Sequence, residues 1–166
     1  MKLNLTQLAI LILTFISTMA SAAPLQGKFP VGPNPQMTPG ALCVNSISYR
    51  YPERIKYCSR DVLFSLRNQI IAKYDRQLGF DIYKMPRGEF KIDHFIPLSI
   101  GGSNDETNLW PQHKSVYAYS DPLEFDVANL ISRGQIKQSE AIRVIKECKL
   151  NLGRCAELGA YLKSMY

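Results

Sequence analysis

The apolar positions of the chain keep several different rhythms. Residues 1–22 hold one short apolar core, "LAILILTFI", behind a charge at Lys2 and ahead of Ala20, Ser21 and Ala22. The run is too short to span a bilayer and ends in a small-x-small step, so it predicts a signal peptide removed on export. Residues 23–42, "APLQGKFPVGPNPQMTPGAL", have no period; their prolines and glycines predict an extended arm with no core of its own. Cys43 to Cys58 is polar and tyrosine-rich, which predicts an irregular loop. A helical period then begins: Leu63, Leu66, Ile70, Tyr74 and Leu78 predict a helix over 60–78, capped by Ser59 and stopped by a left-handed Gly79. "GFDIYKMPRGEF" predicts a loop. "FKIDHFIPL" alternates like a strand, with Phe90, Ile92, His94 and Ile96 on one side and Pro97 marking an edge or an end. "GGSNDETN" predicts a turn and "LWP" a short return strand. Asp121-Pro122 predicts the start of a second helix, carried by Leu123, Val127, Leu130 and Ile131 and stopped by Gly134. "SEAIRVIKEC" predicts a third helix from Ser139, and residues 156–162 a fourth. The fold class expected is α+β: a small, mainly helical domain over 43–166, built around a strand, turn, strand and helix at about 90–132.

Composition sharpens this picture in two places. Export gives meaning to Cys43, Cys58, Cys148 and Cys155, because an even count outside the cytoplasm predicts disulfides. Four cysteines allow three connectivities. The local pairing, Cys43 with Cys58 and Cys148 with Cys155, is favoured because each pair flanks a turn-rich segment; a zinc cluster is disfavoured because no Cys-x-x-Cys occurs. Lys and Arg number 20 against 14 acids, a formal charge of +6 that falls to +5 once Lys2 leaves with the signal segment. That balance suits a polyanionic partner, since neutralised phosphates release counterions. No later apolar run is long enough for a bilayer, so no membrane partner is expected after cleavage, and the protein would be periplasmic or secreted.

The candidate chemistry lies in "KIDHFIPLSIGGSN", residues 91–104. A lone Asp-His pair is commonly a hydrogen-bonded strand histidine beside a loop carboxylate. The ordered set Asp93-His94, Pro97, Gly101-Gly102 and Asn108-Leu109 is more specific, and it resembles the HNH, or ββα-metal, nucleases. It is more similar still to a group of exported bacterial HNH-like proteins, through "PNPQMTPG" at 33–40, "DHFIPL" at 93–98 and "NLWPQ" at 108–112, from about Pro33 to Cys148. The resemblance implies that His94 is a general base activating water, that Asp93 binds a divalent cation, and that Asn108 braces the turn aiming the histidine. The cofactor implied is Mg²⁺, with Mn²⁺ or Zn²⁺ as alternatives. The physical chemistry is coherent, since imidazole titrates near neutrality and a carboxylate-held cation stabilises charge on phosphorus oxygens.

The match departs from the family on the helix. The residue nine places after Asn108 is Tyr117, where a histidine or asparagine is usual. The exported group instead has an acid-x-x-Glu step, often preceded by lysine; Asp121 and Glu124 fit it, with Ser120 in the lysine's place. Asp121 is therefore the first choice as second metal ligand and His113 the runner-up. The same Asp121/Glu124 spacing also reads as a helix capping box. Lys84, Arg87, Lys91 and Lys114 are candidate phosphate contacts, Trp110 is expected as a core anchor, and Arg143, Lys146 and Lys149 as a solvated helix face. The implied function is an exported endonuclease acting on DNA, with RNA as an alternative substrate. Its rivals are a catalytically silent module that binds a polyanion or a protein, and a structural domain whose Asp-His ties a hairpin together.

Overall fold

The computed structural model describes residues 27–165; the predicted signal peptide and the first residues of the arm lie outside them. The described residues form an α+β domain with four helices and two small antiparallel sheets. Strands β1 (Tyr49–Arg50) and β2 (Ile55–Lys56) make a short ribbon, and helix α1 runs Phe64–Leu78. Strand β3 (Phe90–His94) pairs with β4 (Leu109–His113), setting Phe90 opposite His113, Asp93 opposite Trp110 and His94 opposite Leu109. Helices α2 (Lys114–Ser132), α3 (Gln138–Leu150) and α4 (Cys155–Lys163) follow.

The apolar interior has two clusters. In one, Ile70 and Tyr74 of α1 pack with Ile92, Phe95, Leu109 and Trp110. In the other, Val127, Leu130 and Ile131 of α2 pack with Ile145 of α3 and Leu158 and Leu162 of α4. With both faces covered, consecutive strand residues are buried together, which is how Asp93 and His94 both come to lie inside. Trp110 is fully buried, as expected of an anchor.

Two helix starts differ from the sequence reading by more than two residues, each for a local reason. Helix α1 starts at Phe64 because Leu63 holds an extended backbone, so Ser59 caps nothing and Leu63 is exposed. At the other end Gly79 takes φ 74° and donates to Asp75, as expected. Helix α2 starts seven residues before Asp121: the His113 Nδ1 accepts from the Ser115 backbone and caps it, and Pro122 lies inside the helix. The capping-box reading of Asp121 and Glu124 therefore fails, since both sit in mid-helix. Part of the arm lies against the domain. Thr38 is fully buried, its hydroxyl 2.8 Å from the Tyr74 hydroxyl, and Met37 joins the α1 core. The cysteines pair locally, Cys43 with Cys58 and Cys148 with Cys155.

Candidate functional site

Successive strand residues point to opposite faces, so Asp93 and His94 look into different environments. The turn after His94 is held by Asn108. Its Nδ2 donates to the carbonyls of Ile96 and Ser103, both at 2.9 Å, and its Oδ1 accepts from the Ile96 amide at 2.9 Å. Gly102 is needed here because a Cβ would collide with the Ile96 carbonyl, and Gly101 adopts φ 92°.

His94 faces this turn and the segment before α1. Its Nε2 lies 3.0 Å from Asn104 Oδ1, while Asn104 donates its own Nδ2 to the Ser59 carbonyl at 2.7 Å. The Asn104 oxygen is thus an acceptor, which assigns the proton to Nε2 and leaves a lone pair on Nδ1. Nδ1 lies 3.4 Å from the Arg60 guanidinium, which donates from its other nitrogen to the Ile92 carbonyl at 2.7 Å. Burial pushes the His94 pKa below its usual value; Arg60 lowers it further, and the Asn104 contact opposes both without reversing them. His94 is therefore a neutral imidazole at pH 7, with its basic nitrogen beside a cation.

Asp93 faces α2 and α3. Its Oδ2 accepts from Lys149 Nζ at 2.7 Å, and the same ammonium donates to the His94 carbonyl at 2.6 Å. Lys149 Nζ is also 2.6 Å from Glu124 Oε1, a close ion pair. Lys91 closes the outer side, 3.5 Å from Asp93 Oδ1 and 3.2 Å from Asp121 Oδ2. Burial pushes the Asp93 carboxyl upward, but Lys149 and Lys91 outweigh it and hold the pKa below the usual range. For Glu124 burial wins over Lys149, and its pKa is raised. Lys149 is fully buried, yet Asp93 and Glu124 keep its pKa above the ordinary lysine value.

The predicted residues separate accordingly. Asp93, His94 and Asn108 share the end of the hairpin, and Asp121 reaches it through Lys91. His113 does not: it sits opposite Phe90, four strand positions and roughly 13 Å from the His94 end. There its ring stacks on Phe29 at 3.7 Å and its Nδ1 caps α2, so it is no candidate ligand beside Asp93. Of the predicted phosphate contacts, Lys91 is engaged by carboxylates, Lys114 pairs with Glu89 at 3.0 Å and Lys84 with Asp81 at 2.9 Å. Arg87 is exposed in a groove it lines with Arg67, Phe64 and Tyr83.

Sequence reasoning missed Arg60, Asn104 and Lys149, and it misplaced Lys149 on a solvated face. One signal was available. Ala141, Ile145, Cys148 and Lys149 recur at helical spacing, so Lys149 continues the buried stripe of α3.

The donors a divalent cation would take, two carboxylates and a carbonyl, are gathered here, but the Lys149 ammonium stands among them. As arranged, the set does not fit a divalent ion, and among the described residues no cluster of three or more His, Cys, Asp or Glu side chains is placed to hold one. No family model, curated protein or solved structure matches the chain significantly. The motif resemblance therefore rests on the quoted residues alone.

Proposed function

We propose that the protein is an exported phosphodiester hydrolase acting on nucleic acid, in which His94 is the general base on an HNH-like hairpin and helix. The observation that carries this reading is the neutral His94, its Nδ1 lone pair 3.4 Å from the exposed Arg60 guanidinium. A nucleic-acid phosphate bound by Arg60 would lie against that nitrogen. Nδ1 takes a proton from a water as its oxygen bonds to phosphorus, the leaving P–O bond breaks, and solvent protonates the departing oxygen. Arg60 balances the extra charge on the non-bridging oxygens. Asn104 keeps the imidazole in the working tautomer, and Asn108 fixes the turn that carries Asn104. The Mg²⁺ dependence implied by the motif is not part of this reading, because Lys149 holds the carboxylates.

A second reading, a silent polyanion-binding module, is favoured by one fact: His94 is only 4% exposed, with Arg60 across its basic nitrogen. One experiment separates the two. Oxidised protein is tested in single-turnover cleavage of plasmid DNA and single-stranded RNA, with and without chelator, beside His94→Ala and a thermal melt. Cleavage that falls by roughly 10²–10⁴ in a folded His94→Ala supports the base role. Equal rates would refute it. Salt-sensitive binding with no cleavage under any condition establishes the silent module.

A further inference from the structure

We infer that Lys149 is a built-in cation: its ammonium fills the oxygen-lined pocket between β3 and α2, so the site neither needs nor admits a divalent ion. Lys149 is the one lysine or arginine that is buried among the described residues. It reaches from the last turn of α3 to oxygens donated by two other elements, Asp93 and the His94 carbonyl of β3 and Glu124 of α2. All are hard oxygen donors of the type Mg²⁺ selects, but they stand 2.6–2.7 Å from nitrogen, charge-assisted hydrogen-bond or ion-pair lengths rather than the roughly 2.1 Å of Mg²⁺ ligation. Both Asp93 oxygens are engaged, one by Lys149 and the other by Lys91.

The lysine is also fixed where it enters. Cys148, its neighbour, is bonded to Cys155. On the other side the arm lies so close that a Cβ at Gly32 would run into the Lys149 carbonyl. An ion entering the pocket would have to expel a fully buried ammonium whose backbone is held from two directions. Being fully buried, that ammonium cannot touch a substrate either; it neutralises Asp93 behind the strand and so leaves the other face to His94 and Arg60. The inference concerns cation occupancy alone and stands whether or not His94 cuts nucleic acid.

The test is Mn²⁺ titration followed by calorimetry and by paramagnetic broadening of backbone amide signals. Wild-type oxidised protein is expected to show no saturable binding with Kd below about 1 mM, and no selective broadening at Asp93, His94 or Glu124. Lys149→Ala empties the pocket and is expected to bind one Mn²⁺ roughly tenfold or more tightly than wild type, with broadening centred on those residues. Selective broadening at Asp93 in wild type would overturn the inference, as would a folded Lys149→Ala that gains no affinity. If Lys149→Ala does not fold, the wild-type broadening pattern decides alone: absent at Asp93 it supports the built-in cation, present it refutes it.

Discussion

Arg143 and Lys149 lie on the same helix and each gathers two carboxylates, one in water and one in the core. The Arg143 guanidinium pairs with Glu140 at 2.8 Å and Glu147 at 2.9 Å, and its side chain remains 50% exposed. The chain of charges continues through Arg154, which bridges Glu147 and Glu157. Lys149 pairs with Asp93 and Glu124 at similar distances and is fully buried. The geometry is alike and the energetics are not. Around Arg143 water screens each pair and accepts any ion left alone, so a lost partner costs little. Around Lys149 desolvation has already been imposed on the ammonium, so removing it leaves two uncompensated carboxylates facing one another.

The largest effect expected from this contrast is on Lys149→Met, which keeps most of the volume and deletes the charge. It leaves Asp93 and Glu124 facing one another without the ammonium, and a loss of about 3–5 kcal/mol in unfolding free energy at pH 7 follows. Adding Asp93→Asn and Glu124→Gln removes the stranded charges and is expected to recover most of that loss. Urea melts of the single and triple variants make the measurement. A cost below about 1 kcal/mol for Lys149→Met would make the buried cluster behave like the surface one and end the comparison.

A smaller effect concerns pH. The folded Asp93 pKa lies below its unfolded value, so its contribution is present above about pH 4 and disappears as pH falls through the folded value. The folded Lys149 pKa lies above its unfolded value, so its contribution is full below about pH 10 and is lost only as pH rises through the folded value. Glu124 has the opposite sign from Asp93: its raised pKa makes ionisation cost stability as pH climbs above about 4. Melting temperature should therefore fall in acid less steeply in Asp93→Asn than in wild type, and rise in Glu124→Gln relative to wild type between pH 5 and 7, if Gln keeps the packing. Parallel acid limbs for wild type and Asp93→Asn would remove Asp93 from the cluster's energetics.

At the hairpin end the strand and its Gly101-Gly102 turn were legible from alternation and turn chemistry, whereas Asp93, His94 and Asn108 were singled out only by the motif resemblance. The cation side was not legible, for two reasons rooted in how residue types are weighed. Asp121-Pro122 mimics a helix start, whereas the true start is capped by His113, a residue seldom used for that purpose, and the helix tolerates Pro122 in its interior. Lys149 was assigned by its charge to solvent, although its spacing from Ile145 and Cys148 places it on the apolar stripe. Asn104 and Arg60 act across chain separations of 10 and 34 residues from His94, and no local period connects them to it.

The smallest effect expected is on the exposed member of the pair. Arg143, with the Tyr161 hydroxyl donating at 2.8 Å, holds the Glu140 pKa down to about 2. Its contribution is thus present above the unfolded value near pH 4.5 and is lost as pH falls from there towards 2. The Glu140 side chain is 29% exposed and Arg143 more so, and screening by water reduces what that shift is worth. Glu140→Gln is expected to cost below about 1 kcal/mol at pH 7 in dilute buffer, and close to nothing in 1 M salt, where the screening length is about 3 Å. The same salt step should change the cost of Lys149→Met much less, because the ammonium itself is fully buried and Asp93 nearly so. Paired urea melts at low and high salt make the comparison, and it fails if salt erases both costs equally.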